Sequence, residues 1–221
     1  MNYISHFYFD RQHGNDYYNL GIILPDLARA VNRENRLPTH KLNEGTLNYE
    51  HLQLQKGCTK HYLTDRKFHN SSFFRIFSEK LKNIFLSAGF DQNTHRLSVT
   101  SHIFLEMMLD RLIISDDIAV ADAFYRSLGN IETEKLEAYL KLYGIENQDI
   151  FTAWFNKFRE SKYIYHYVNN ESMLFSLNRV LSRVNIVGFE TSASIMSCID
   201  EAHAELLGQY HMLDEELAVH S

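Results

Sequence analysis

Residues 97–115 read LSVTSHIFLEMMLDRLIIS, and the reading of this stretch decides the fold. Between Ile103 and Ile114 nearly every residue is apolar, yet His102, Glu106 and Asp110 recur at a step of four. In an α-helix that step advances about 400°, so successive members drift by only about 40° and share one narrow edge. A helix apolar on its other faces is a core element of a helical protein. Burying an unpaired carboxylate costs several kcal/mol, so Glu106 and Asp110 require compensation.

A second file of the same kind lies upstream, in GCTKHYLTDRKFH (57–69), where His61, Asp65 and His69 again step by four. Two helices that present imidazoles and carboxylates on one edge can face each other and enclose a cation. The mixed donor set suits Mn, Fe, Co or Zn better than Ca, which prefers oxygen. Two further candidates precede it: His6 in an apolar-aromatic stretch, and Asp26 after Leu24-Pro25, where a turn can point it inward. The expected metal ligands are therefore His6, Asp26, His61, Asp65, His69, His102 and Glu106, with Asp26, Asp65, Glu106 and Asp110 as the candidate catalytic carboxylates.

Other readings stand beside this one. Step-of-four files also join ion pairs on solvated faces, and Lys60, Arg66 and Lys67 flank the second file. The first could form internal salt bridges with Arg111, Arg96 or Arg66, which would describe a non-catalytic helical binding or scaffold protein. The G-x3-H-x3-D-x3-H string admits a zinc-dependent phospholipase-like enzyme, which would need an apolar mouth and export. The remaining histidines (13, 40, 51, 95, 166, 203, 211 and 220) read as surface residues, and YIYHY (163–167) as packing.

Bulk composition narrows the classes. The 221 residues are 45% hydrophobic, with only 2 Pro and 9 Gly, sparse punctuation for a β fold and natural for an α one. Against 28 acidic residues stand 22 basic ones, without a basic stripe, so a nucleic-acid partner is not expected. Cys58 and Cys198 lack metal-type spacing and fit a reducing compartment. MNYISHFYFDRQH carries no basic leader or long apolar run, and no segment is long and apolar enough to span a membrane. The expectation is a soluble cytoplasmic protein.

Periodicity and turn residues predict a single all-α domain, a helical bundle over 1–221. A short helical or turn-rich segment at 16–31 is broken at Pro25, and a polar connection follows at 32–45. Helices are expected over 46–70, from Ser71 or Ser72 to Gly89, and over 97–115. Residues 116–160 form a helical elaboration (117–128, 132–143, 147–159), with Gly129 and Gly144 between its helices. Helices at 171–185 and 190–217 close the chain. No nucleophilic-serine, phosphate-loop or dinucleotide motif is present.

With these residues identified, the chain resembles the acyl carrier protein phosphodiesterase family. MNYISH is similar to the family's opening, LGIILPDL to its segment bearing a key aspartate (Asp26 here), and GCTKHYLTD to its His–Asp segment (His61 and Asp65). LEMMLDRLI is similar to its segment of paired aspartates (Glu106 and Asp110), and VLSRVNI and YHMLDEEL to its closing helices. The chain departs from the family pattern at Tyr62 (Arg), His69 (Asp), Glu106 (Asp) and Arg111 (His). The resemblance implies an all-α fold distantly like the HD metal-dependent phosphohydrolases and a role in fatty acid biosynthesis. The reaction it implies is hydrolysis of the phosphodiester joining 4′-phosphopantetheine to acyl carrier protein, with Mn²⁺ as the expected ion and Fe or Zn as alternatives. A small phosphodiester is the alternative substrate, and Arg111 is a candidate for holding its phosphate.

Overall fold

The computed structural model describes residues 1–218, so His220 lies outside the described residues. Helices make up 74% of the described residues, and no strand occurs among them, so the protein is all-α. In order, the helices are α1 (Tyr3–Asp10), α2 (Asp16–Gly21), α3 (Leu24–Val31), α4 (Tyr49–Asn70), α5 (Ser72–Ser87) and α6 (Leu97–Asp116). They continue with α7 (Ile118–Gly129), α8 (Thr133–Lys141), α9 (Gln148–Ser161), α10 (Asn170–Arg183), α11 (Ala193–Leu206) and α12 (Met212–Ala218). No helix among the described residues is long and apolar enough to cross a membrane.

The helix boundaries follow from local chemistry. Asn48 accepts from the His51 N–H and opens α4, and Ser71 accepts from the Phe74 N–H and opens α5. Past the end of α5, Gly89 takes the left-handed conformation at φ 86° that residues with a Cβ rarely adopt. Three stretches differ from the periodicity. The N-terminal aromatic stretch is a helix, α1. Pro25 lies in the first turn of α3, where its missing N–H costs nothing, and the break falls at Ile22–Ile23 instead. The continuous helix expected over 190–217 is two helices, because a turn containing Gly208, at φ 74°, separates Leu206 from Met212.

Contacts group the protein into two compact units. One contains Asn2–Asp65 and Ala119–Tyr163. In it α3 and α8 pack on α9, and α1 buries Tyr3 against Phe158 and Phe7 against Phe124, edge to face at 5.2 and 5.4 Å. The other contains Met1, Arg66–Ile118 and the chain from Ile164 onward. Its centre is α6 against α5, with α10 and α11 packed on α6 and Phe85 set between Phe104 and Phe189. From Phe104 to Ile114, α6 is buried except at Glu106, as its composition requires.

Candidate metal centre

Within the first unit, α4 turns His61 and Asp65 to the same side, and α1 brings His6 to them. His6 is fully buried and His61 nearly so. The two imidazole rings lie 4.3 Å apart, tilted by 33°. Asp26, in the first turn of α3, completes the group, with its Oδ1 3.8 Å from His61 Nε2. A helix N-terminus favours a carboxylate at that place.

The His61 ring is oriented from behind. Its Nδ1 lies 2.9 Å from the Ile22 carbonyl oxygen, which can only accept, so Nδ1 carries the proton and donates it. Burial, with His6 beside it, holds the His61 pKa well below the usual histidine value, so the ring is neutral. Its Nε2 is therefore a bare lone pair. That lone pair faces Asp26 Oδ1 at 3.8 Å and Asp65 Oδ2 at 3.9 Å, both acceptors.

Behind His6 stands a carboxylate at ion-pair distance, from a residue outside the two step-of-four files. Asp10 follows His6 by four on α1 and places Oδ2 3.5 Å from Nδ1. Thr64 donates to Asp10 Oδ1 at 3.0 Å, and Lys60 stands 3.3 Å from the same oxygen. On the other side of the ring, Nε2 lies 3.2 Å from Asp65 Oδ1. Burial would lower the His6 pKa, but Asp10 and Asp65 outweigh it and raise it, so without another cation the ring is inclined to hold a proton. Even so, neither ring nitrogen makes a hydrogen bond of acceptable geometry; the carboxylates sit at ion-pair distance off the N–H directions. Burial would also raise the Asp65 pKa, but the adjacent His6 ring, at 3.2 Å, and nearby positive charge hold its carboxyl far below the usual range.

These residues fit a divalent metal. Coordination bonds of about 2.0–2.2 Å separate neighbouring ligand atoms by roughly 3–4 Å, and one ligand atom from each of His6, His61 and Asp65 lies within 4.8 Å of the others. His61 donates its Nδ1–H to a carbonyl, as metal-binding histidines usually do, and Asp10 stands at ion-pair distance behind His6 Nδ1. The Asp26 and Asp65 side chains are 31% and 28% exposed, which leaves a way in for water and solute.

The remaining expected residues belong to the second unit. His69 meets His102 and Glu106, so the last member of the α4 file joins the first two of the α6 file. Burial would raise the Glu106 carboxyl, but the Met1 ammonium, 3.4 Å away, and the two imidazoles hold it well below the usual range. Asp110 is fully buried in α6. Arg111 is buried as well and donates to Asn170 Oδ1 at 2.7 Å. Of the histidines read as surface residues, His51, His95 and His203 are half-buried, and the first two bond the carbonyls of Lys135 and Val187.

No protein-family model, curated protein or solved structure matches the chain.

Proposed function

We propose that the protein is a divalent-metal phosphohydrolase acting on a phosphodiester, with its centre at His6, Asp26, His61 and Asp65. The observation that carries this reading is the buried imidazole of His61, which donates Nδ1–H to the Ile22 carbonyl and places its unprotonated Nε2 3.8 and 3.9 Å from the carboxylates of Asp26 and Asp65. A cation among these acceptors would make each of the close approaches attractive.

His6 and His61 would hold the ion through Nε2 together with Asp65, whose Oδ1 lies 3.2 Å from His6 Nε2 and whose Oδ2 lies 3.9 Å from His61 Nε2. The imidazole and carboxylate donors suit Mn, Fe or Zn. The ion supplies Lewis acidity toward water and toward the phosphoryl oxygens. Asp26, partly exposed at the entrance, takes the proton that water loses as its oxygen bonds phosphorus. The P–O bond to the departing alcohol would break with its electron pair going to the alcohol oxygen, which would take a proton from solvent, while Asp26 would return the proton it took from water to solvent. Asp10 keeps His6 oriented throughout.

The sequence motifs around Asp26, His61 and Asp65 support an HD-phosphohydrolase-like arrangement, with 4′-phosphopantetheinyl acyl carrier protein as substrate. Elemental analysis of protein purified without chelator tests the centre: metal is expected, and His61→Ala should lose it. Absence of metal after reconstitution with Mn²⁺, Fe²⁺ and Zn²⁺ would sink the reading. Turnover of bis-p-nitrophenyl phosphate without release of 4′-phosphopantetheine from carrier protein would retain the phosphodiesterase and remove the substrate.

A further inference from the structure

We infer that His69, His102 and Glu106 form a second cation site, one that takes a single imidazole-preferring divalent transition ion, Zn²⁺ above all. This inference does not rest on the phosphohydrolase reading.

Three atoms converge. His69 Nε2 and His102 Nε2 are 3.0 Å apart, and Glu106 Oε1 lies 3.3 Å from the first and 2.9 Å from the second. With the Glu106 carboxyl ionised, as the charge around it favours, no placement of protons on the two rings satisfies all three contacts. With a proton on both nitrogens, two N–H groups oppose each other. With a proton on one, the other nitrogen's lone pair faces the carboxylate. With none, three lone pairs meet, and only a cation among them turns every contact attractive. Coordination bonds of about 2.0–2.2 Å in a tetrahedron set ligand atoms roughly 3.4 Å apart, close to the three observed separations.

The frame is preorganised. Glu106 follows His102 by one turn of α6, and α4 supplies His69. Phe74 meets both imidazoles edge to face, at 5.0 Å from His69 and 4.8 Å from His102, which restrains their rotation. The three side chains are 33%, 38% and 20% exposed. His69 also lines a cleft of about 470 Å³ with Phe74, Arg75, Ser98 and Ser101. Ions can therefore enter, and a fourth ligand from solution has room, as in other sites of two histidines and one glutamate.

Electrostatics selects the ion. The Met1 ammonium, 3.4 Å from Glu106 Oε1, offsets the one negative charge among the donors. Mg²⁺ and Ca²⁺ depend on anionic oxygen and gain little here. Zn²⁺, Co²⁺ and Ni²⁺ draw on the imidazoles.

The experiment strips the full-length protein of metal and titrates it with Zn²⁺ by calorimetry and with Co²⁺ by visible absorption. The His61→Ala protein should still bind one equivalent with the intense spectrum of four-coordinate Co²⁺, and adding His102→Ala should abolish it. Glu106→Gln, which keeps the size of the side chain, should weaken binding. Where circular dichroism shows that an alanine variant does not fold, His102→Gln replaces His102→Ala, and wild type replaces the His61→Ala background, with one equivalent lost. The inference is overturned if the folded His61→Ala protein binds no Zn²⁺, or if removing the His102 imidazole leaves the number of bound ions unchanged. Loss of phosphodiester hydrolysis alone would bear on the first centre and not on this one.

Discussion

Gly21 and Gly57 meet backbone to backbone: a methyl group on Gly57 would run into the Tyr18 carbonyl and lie 2.7 Å from Gly21 Cα. A methyl on Gly21 would lie 2.8 Å from Gly57 Cα and 2.5 Å from the Leu54 carbonyl oxygen. Two bare backbones let α2 lie directly on α4. The next residue after Gly21 is Ile22, whose carbonyl holds His61 one turn beyond Gly57. The close approach therefore sets the orientation of the His61 ring.

Gly57→Ala should separate the two helices. The expected loss is about 1–3 kcal/mol, the usual cost of forcing atoms into a packed interior, measured by urea denaturation. Metal affinity should fall with it, since the Ile22 carbonyl moves away from His61. Wild-type stability together with wild-type affinity would show that the contact does not position the ring.

Asp10→Asn removes the charge behind His6 and leaves the shape. Second partners of this kind contribute about 10–100-fold in metal affinity, and a loss in that range is expected by competition with a coloured chelator. An unchanged affinity would make Asp10 a partner of Lys60 and Thr64 alone.

Gln55 is 1% exposed and accepts from Tyr139 (2.8 Å) and Tyr143, while its amide donates to the Thr39 carbonyl. Gln55→Leu fills the space but strands these groups. A buried unsatisfied group costs about 1–3 kcal/mol, so a clear drop in melting temperature is expected. Retention of the wild-type value would show that water takes over the amide's role.

Both cysteines are free and buried, with thiols pushed up by burial to about 12 for Cys58 and about 11 for Cys198. Neither should react with a thiol reagent at neutral pH until the protein unfolds. The folded value for Cys58 lies above its ordinary 9.0, so its contribution to stability is complete below pH 9.0 and fades as pH rises toward about 12. Cys58→Ala should flatten that alkaline decline in a denaturation series across pH, and an equally steep decline would assign it to other groups.

Much of the fold was legible because helical periodicity and glycine breaks are local signals. The helices 117–128, 132–143, 147–159 and 171–185 were placed within two residues at each end. The break at Gly208 was missed because apolar spacing continues through it, whereas its positive φ is a backbone property. At the site, the step of four exposed His61–Asp65 and His102–Glu106. The same step joins His6 to Asp10, and it went unread because the aromatic N-terminus did not suggest a helix. Which file meets which is a tertiary matter that spacing does not carry. The meeting of His69 with His102 and Glu106, and the turn of Arg111 to Asn170, emerged only from packing.

Residues 66–118 interrupt the unit that holds the first centre. Every ligand proposed for that centre has been synthesised by Asp65, but the aromatic partners of α1, Phe124 and Phe158, follow dozens of residues later. At synthesis rates of about 5–20 residues per second, Tyr3 and Phe7 wait several seconds for their cover. A nascent chain halted between α6 and α7 would therefore present that aromatic face to chaperones, and no contiguous fragment reproduces the unit.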